Sequence, residues 1–117
     1  MKKKVSAKNA PKEIGAYSNA IKVGNMVFVS GQLPVNPETG LIPEGIQAQT
    51  MQVIENVRNI LADAGATLDN VVKTTVFLAD MSYFAEMNEV YSEFFSQPYP
   101  ARSAVAVKAL PDGTHSL

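Results

Sequence analysis

Apolar and polar positions alternate along residues 16–23. Tyr17, Asn19, Ile21 and Val23 fall on one side, with Ser18, Ala20 and Lys22 on the other. A two-residue repeat predicts a strand with one covered face. Gly24-Asn25 suits a tight hairpin turn, and 26–30 (MVFVS) is nearly all apolar, as in a strand buried on both faces. Three prolines and two glycines between Pro34 and Gly45 predict a loop. From Ile46 the period lengthens. Ile46, Thr50, Val53, Ile54, Val57, Ile60, Leu61 and Ala64 recur every three or four residues, as on one face of a helix that Gly65 is placed to cap. The β-branched and aromatic run 71–79 predicts a strand. Asp80 or Ser82 can cap a second helix with Phe84, Met87, Val90, Tyr91 and Phe94 on its apolar face. Pro98 and Pro100 forbid its continuation. Alternation returns over 102–109, and Pro111, Asp112 and Gly113 read as a turn.

The predicted order is β-β-α-β-α-β. Helical crossovers imply parallel neighbours in the sheet and two helices on one of its faces, an α+β two-layer sandwich. The other face would then meet water, for which strand 26–30 is too apolar. Other subunits are therefore expected to cover it. No repeat, low-complexity tract or linker interrupts the pattern, so residues 1–117 read as a single domain.

Composition narrows the function. The 117 residues are 46% apolar and 18% charged, with ten Lys/Arg against eleven Asp/Glu. That balance gives no electrostatic footprint for nucleic acid or an anionic membrane. The one basic cluster, Lys2 to Lys4, reads as a solvated tail. Absence of cysteine excludes disulfides, thiolate metal sites and a cysteine nucleophile. A single histidine, His115, argues against a Ser-His-Asp triad or a multi-histidine metal site. Without an apolar span or a signal-peptide pattern, the expected compartment is the cytoplasm.

Arg102 stands out in Pro-Tyr-Pro-Ala-Arg-Ser (98–103). A planar guanidinium opening a strand after a proline-fixed turn suits bidentate recognition of a carboxylate, although an ordinary surface salt bridge has the same pattern. Tyr17 can stack on a ligand and donate its hydroxyl, or be a half-buried core tyrosine. Ser30 offers a hydroxyl at a strand end, and Gly31 permits close approach to its backbone amide; a plain strand-to-loop transition reads the same way. Asn88 lies on the polar side of the second helix, where solvation alone accounts for it. Glu55, near Arg58, and Glu86 read as exposed, and no paired-carboxylate site, phosphate loop or zinc spacing is found.

Six segments, in order and spacing, resemble the reactive intermediate deaminase A (RidA, YjgF-like) family. They are Gly15-Ala16-Tyr17-Ser18, Val29-Ser30-Gly31-Gln32, Glu55-Asn56-Val57, Lys73-Thr74-Thr75-Val76-Phe77, Asn88-Glu89-Val90-Tyr91 and Pro100-Ala101-Arg102-Ser103. The resemblance implies a chorismate mutase-like fold, a homotrimer closed through its sheets, and ligand clefts between subunits. It also implies hydrolysis of enamines and imines, such as 2-iminobutanoate and 2-iminopropanoate, to 2-oxo acids and ammonia, without cofactor or metal. Such intermediates come from dehydratases of amino-acid metabolism. Arg102 matches the carboxylate-binding arginine and Tyr17 the cleft tyrosine. Ser30 and Gly31 match the strand end at the ligand, and Asn88 a polar residue near it. Ala104 stands where cysteine is frequent, and its backbone amide can still serve.

The resemblance also implies a final strand bearing a glutamate that positions water. That glutamate falls at position 117, which is Leu117, and 112–117 does not read as the expected strand. Asp112 and His115 are nearby polar groups with no spacing that makes either a substitute. The expected consequences are weakened hydrolysis and an unpaired sheet edge. Deaminase is therefore the first functional expectation. A small-carboxylate-binding regulator with little catalysis is the second. A ribonuclease or translation inhibitor, disfavoured by the neutral charge, is the third.

Overall fold

The structure is a computed structural model that describes residues 1–111 and 116–117. Its elements are β1 (Lys3–Val5), β2 (Ala20–Val23), β3 (Met26–Val29), α1 (Ile46–Asp63), β4 (Lys73–Leu78), α2 (Phe84–Phe94) and β5 (Ala101–Ala106). The architecture is α+β, as the patterns predict. β2 and β3 form an antiparallel hairpin about Gly24-Asn25, with Val23 opposite Met26; Gly24 has φ 56°, which a glycine adopts freely. β4 and β5 run parallel, with Thr74 opposite Arg102 and Val76 opposite Ala104. α2 is the crossover between them.

Three features depart from the expectations. Lys3 and Lys4 are not tail: with Val5 they form β1, antiparallel to β2. Only Val5 is buried, so the strand is held by its ladder and one apolar anchor, and edge lysines are compatible with that. Residues 16–19 are not strand. Gly15 has φ 117°, Tyr17 N–H donates to Gly15 O, and the buried Asn19 side chain donates to Pro11 O. Local turn bonds there replace the ladder that the alternation predicts. Finally, among the described residues the strands form two hydrogen-bonded sheets, β1-β2-β3 and β4-β5, with β3 and β4 unpaired to one another.

The helices cover one side of both sheets. Ile54 and Leu61 of α1 pack with Met87 and Tyr91 of α2, and against Val27, Val29, Val76 and Ala104 of the strands. The alternate strand positions Met26, Phe28, Phe77 and Val105 are exposed. Gly65 closes α1 as expected: its N–H donates to Ala62 O, and Ala66 N–H donates to Leu61 O. Asp80, rather than Ser82, starts the second helical segment. Its carboxylate accepts the Ser82 N–H across one 3₁₀ turn that leads into α2.

Candidate functional site

The site is built on β5 and α2. Along β5, Arg102 and Ala104 turn toward the helices and are half-buried, whereas Ser103 and Val105 are exposed on the opposite face. The Arg102 guanidinium carbon lies 4.7 Å from the Tyr91 ring centroid and 5.3 Å from that of Phe84. Its Nη1 donates to Asn88 Oδ1 at 2.8 Å. Tyr91 is fixed in turn by a 2.8 Å hydrogen bond between its hydroxyl and Thr74 Oγ1, and by its ring contact with Phe95.

The charge of this guanidinium has no carboxylate partner among the described residues. The ion pairs found there are Lys4–Glu13 and the expected Glu55–Arg58. Two aromatic faces and one amide oxygen hold Arg102 instead. Cation–π contacts contribute about 0.5–2 kcal/mol each, and one amide uses one of the five N–H donors. The surface-salt-bridge alternative is thereby set aside, and the remaining donors can meet an anion. Ala104 adds another donor. Ala101 N–H and Val107 N–H bond to Val72 O and Leu78 O of β4. In a parallel ladder, the intervening residues of β5 therefore aim their N–H groups at its open edge.

The other predicted residues lie elsewhere in the chain. Ser30 is half-buried, its Oγ donating to Ser18 O at 2.5 Å, which leaves its lone pairs as acceptors. The space before Gly31 is open, since a Cβ there would touch nothing within 4 Å. Tyr17 is 48% exposed, and its hydroxyl accepts the Ile14 N–H at 3.3 Å, which leaves its proton to donate. Among the described residues, no hydrogen bond or ring contact joins Tyr17 or Ser30 to Arg102. The structure thus brings Arg102, Asn88 and Ala104 together, and Tyr17, Ser30 and Gly31 separately. Leu117 packs against the main core. Asp112 and His115 lie outside the described residues.

Three residues escape the sequence reading. Tyr91 and Phe84 hold the arginine and Thr74 holds Tyr91, but they read only as core and strand positions. Asn56 is read only as part of the Glu55-Asn56-Val57 segment, with no role. It is fully buried and donates to Leu33 O and Val35 O, which fixes the segment after Gly31. A polar residue inside a helix's apolar sector is the one signal that marks it.

The architecture belongs to the chorismate mutase-like α+β class, and comparison with known proteins sharpens this. A family model described as Endoribonuclease L-PSP matches residues 7–115. A RutC family protein of Pyrococcus abyssi is 57% identical over 111 residues, covering 94% of this chain and 87% of the relative. The 2-iminobutanoate/2-iminopropanoate deaminase of Escherichia coli is 44% identical over 114 residues, covering 95% and 89%. The crystal structure of RidA from an Antarctic Psychrobacter matches with a TM-score of 0.92 at 50% identity, covering 95% of this chain and 90% of that one. The chain belongs to the Endoribonuclease L-PSP family, in which its motifs and structure align with RidA. No helix among the described residues is long and apolar enough to cross a membrane.

Proposed function

We propose that the chain hydrolyses small 2-imino acids and their enamine tautomers, 2-iminobutanoate and 2-iminopropanoate among them, to 2-oxo acids and ammonia. One observation carries this reading: Arg102 is half-buried, clamped on Tyr91 and Phe84, and without a carboxylate partner among the described residues. Membership of a family that includes a deaminase of this kind, 44% identical, supports it.

The substrate carboxylate pairs with the Arg102 fork, a charge-assisted contact contributing about 1.5–3 kcal/mol. The Ala104 amide is a second donor beside it. Protonation of the imine nitrogen makes C2 electrophilic. Water oxygen then bonds to C2 and one of its protons passes to the nitrogen; the C–N bond breaks, ammonia leaves, and the remaining hydroxyl releases its proton to solvent to give the 2-oxo acid. The arginine's work is orientation, with the reactive carbon held at a fixed distance from the charge. Tyr17, Ser30 and Gly31 complete the cleft from a neighbouring subunit of a homotrimer, and the protein acts in the cytoplasm, where dehydratases release such intermediates.

A second reading follows from one position. Leu117, half-buried against the core, stands where the family resemblance places a water-positioning glutamate. A protein so built would hold small carboxylates and regulate rather than hydrolyse. The deciding experiment generates 2-iminobutanoate in situ with an amino-acid oxidase and compares the chain with Arg102→Ala. Acceleration abolished by the substitution supports the deaminase. Binding of 2-oxobutanoate without acceleration supports the regulator. Binding unchanged by Arg102→Ala would remove Arg102 from both.

A further inference from the structure

One stripe of α2 meets Arg102. Phe84, Asn88 and Tyr91 stand at i, i+4 and i+7, and so share one face of the helix. All three touch the guanidinium, two through their rings and Asn88 through its amide oxygen. How that stripe sits on the strands therefore decides where the guanidinium lies. Among the described residues, the side-chain hydrogen bonds that tie α2 to the strands are those from Arg102 to Asn88 and between Tyr91 and Thr74. Thr74 is directly opposite Arg102 in the parallel ladder, and both side chains are half-buried on the helix side. Tyr91 thus reaches one rung of the sheet twice. Its hydroxyl meets Thr74 Oγ1 at 2.8 Å, and its ring centroid lies 4.7 Å from the arginine.

Neither burial nor stacking needs that hydroxyl. Tyr91 is 6% exposed, and a phenylalanine would fill the same space and offer a cation a similar face. It would also avoid taking a polar group out of water. What the hydroxyl adds is direction. A ring held by packing alone can tilt, whereas a ring tethered at its far end to the rung that carries Arg102 cannot. Arginine is rich in rotamers, so a surface of fixed tilt beneath it removes conformations in which the fork misses a ligand.

We propose that Thr74 and Tyr91 are positioning residues for substrate binding. The hydrogen bond between them sets the tilt of the Tyr91 ring, and the ring sets the direction of the Arg102 fork. This rests on the reading of Arg102 as the carboxylate anchor, and it needs neither residue to touch the ligand. The carboxylate is held alike before and during the reaction, so loss of the tether raises KM and leaves kcat in place.

The central variant is Thr74→Val, which keeps the β-branched shape and alters neither the arginine nor any ring. It is expected to raise both the Kd for 2-oxobutanoate and the KM for 2-iminobutanoate by about three- to tenfold, the range that one hydrogen bond sustains, with kcat within about twofold. Tyr91→Phe is expected to do the same. The double variant is expected to bind no more weakly than either single one, because all three break one link. Thr74→Ser restores the hydroxyl and is expected to restore affinity. NMR reads the geometry directly. The Arg102 Nε–H signal, assigned by its loss in Arg102→Ala, is expected to be displaced by the ring currents of Tyr91 and Phe84. It is expected to move toward the free-arginine position in Thr74→Val and to return in Thr74→Ser. A bond that only stabilises the fold would lower Tm and leave the signal, Kd and KM where they were, and that result would overturn the proposal. So would a Thr74→Ser variant as weak as Thr74→Val. Arg102→Ala separates the two levels. If it abolishes 2-oxobutanoate binding while Thr74→Val binds like the parent, the positioning role alone fails. If it leaves binding unchanged, the carboxylate anchor fails and the positioning role with it.

Discussion

A guanidinium lying on aromatic faces keeps its N–H rim available, because stacking uses the plane of the group and hydrogen bonding uses its edge. Arg102 has that arrangement, with Asn88 taking one donor. A lysine at this position keeps the charge but loses both the fork and the stacking surface. Arg102→Lys is therefore expected to weaken 2-oxobutanoate binding by about tenfold or more, and Asn88→Ala, which removes one anchor, by about two- to fivefold. Titration calorimetry on the folded variants checks the order. Equal affinity for Arg102→Lys and the parent chain would discard the bidentate geometry. At this scale the sequence carries Arg102, because prolines fix the turn before it. It does not carry the Tyr91 hydroxyl or Asn56. Their partners, Thr74 and the carbonyls of Leu33 and Val35, are remote in sequence and adjacent only after folding.

The elements separate what periodicity can show from what it cannot. α1, β4, α2 and β5 appear where the patterns place them, since each buries a continuous stripe or alternating face. β1 is missed because three lysines resemble a solvated tail, while its stability lies in backbone bonds to β2 that no side-chain pattern records. Capping is the most local signal, and it carries a pH dependence. Asp80 is held below the usual 3.8 of a carboxyl by hydrogen bonds from Ser82, first its backbone and then its side chain. Glu13 is likewise held below 4.5, by its own backbone N–H, then by that of Asn19, and by Lys4. Both pKa values are depressed on folding, so the unfolded chain binds more protons in acid. Their contribution is present above the unfolded values and is lost as pH falls through the folded ones. Asp80→Asn preserves a capping oxygen and is expected to leave Tm nearly unchanged at neutral pH, while flattening its fall toward about pH 3. Asp80→Ala is expected to lower Tm at neutral pH by a few degrees, because the cap itself is gone. Thermal melts of all three proteins across that range check both claims, and an Asp80→Ala melt matching the parent at neutral pH would remove the cap from the account.

For the whole molecule, the exposed side of the sheets poses a problem that one chain cannot solve. Phe28 is 59% exposed, Met26 55%, Phe77 49% and Val105 44%, all on the side away from the helices. Apolar side chains gathered on one sheet face lose stabilising burial unless another surface meets them. The sequence foretells this at strand 26–30, which is apolar on both faces, and it foretells an unpaired sheet edge; that the gap falls between β3 and β4 is not legible in it, because pairing depends on the arrangement of all the strands. The proposed closed trimer, joined through these faces, would cover the apolar side and bring Tyr17, Ser30 and Gly31 of one subunit toward Arg102 of the next. Sedimentation velocity at a concentration on the order of ten micromolar is expected to give a three-chain species. Phe28→Glu places a charge where apolar contact is required and is expected to give a folded single chain with unchanged helical circular dichroism. Its imine hydrolysis is expected to fall with assembly, although Arg102 and its clamp remain intact within each chain. A monomeric parent protein, or a monomeric Phe28→Glu with full activity, would show that the site needs no neighbour and that the apolar face serves another purpose.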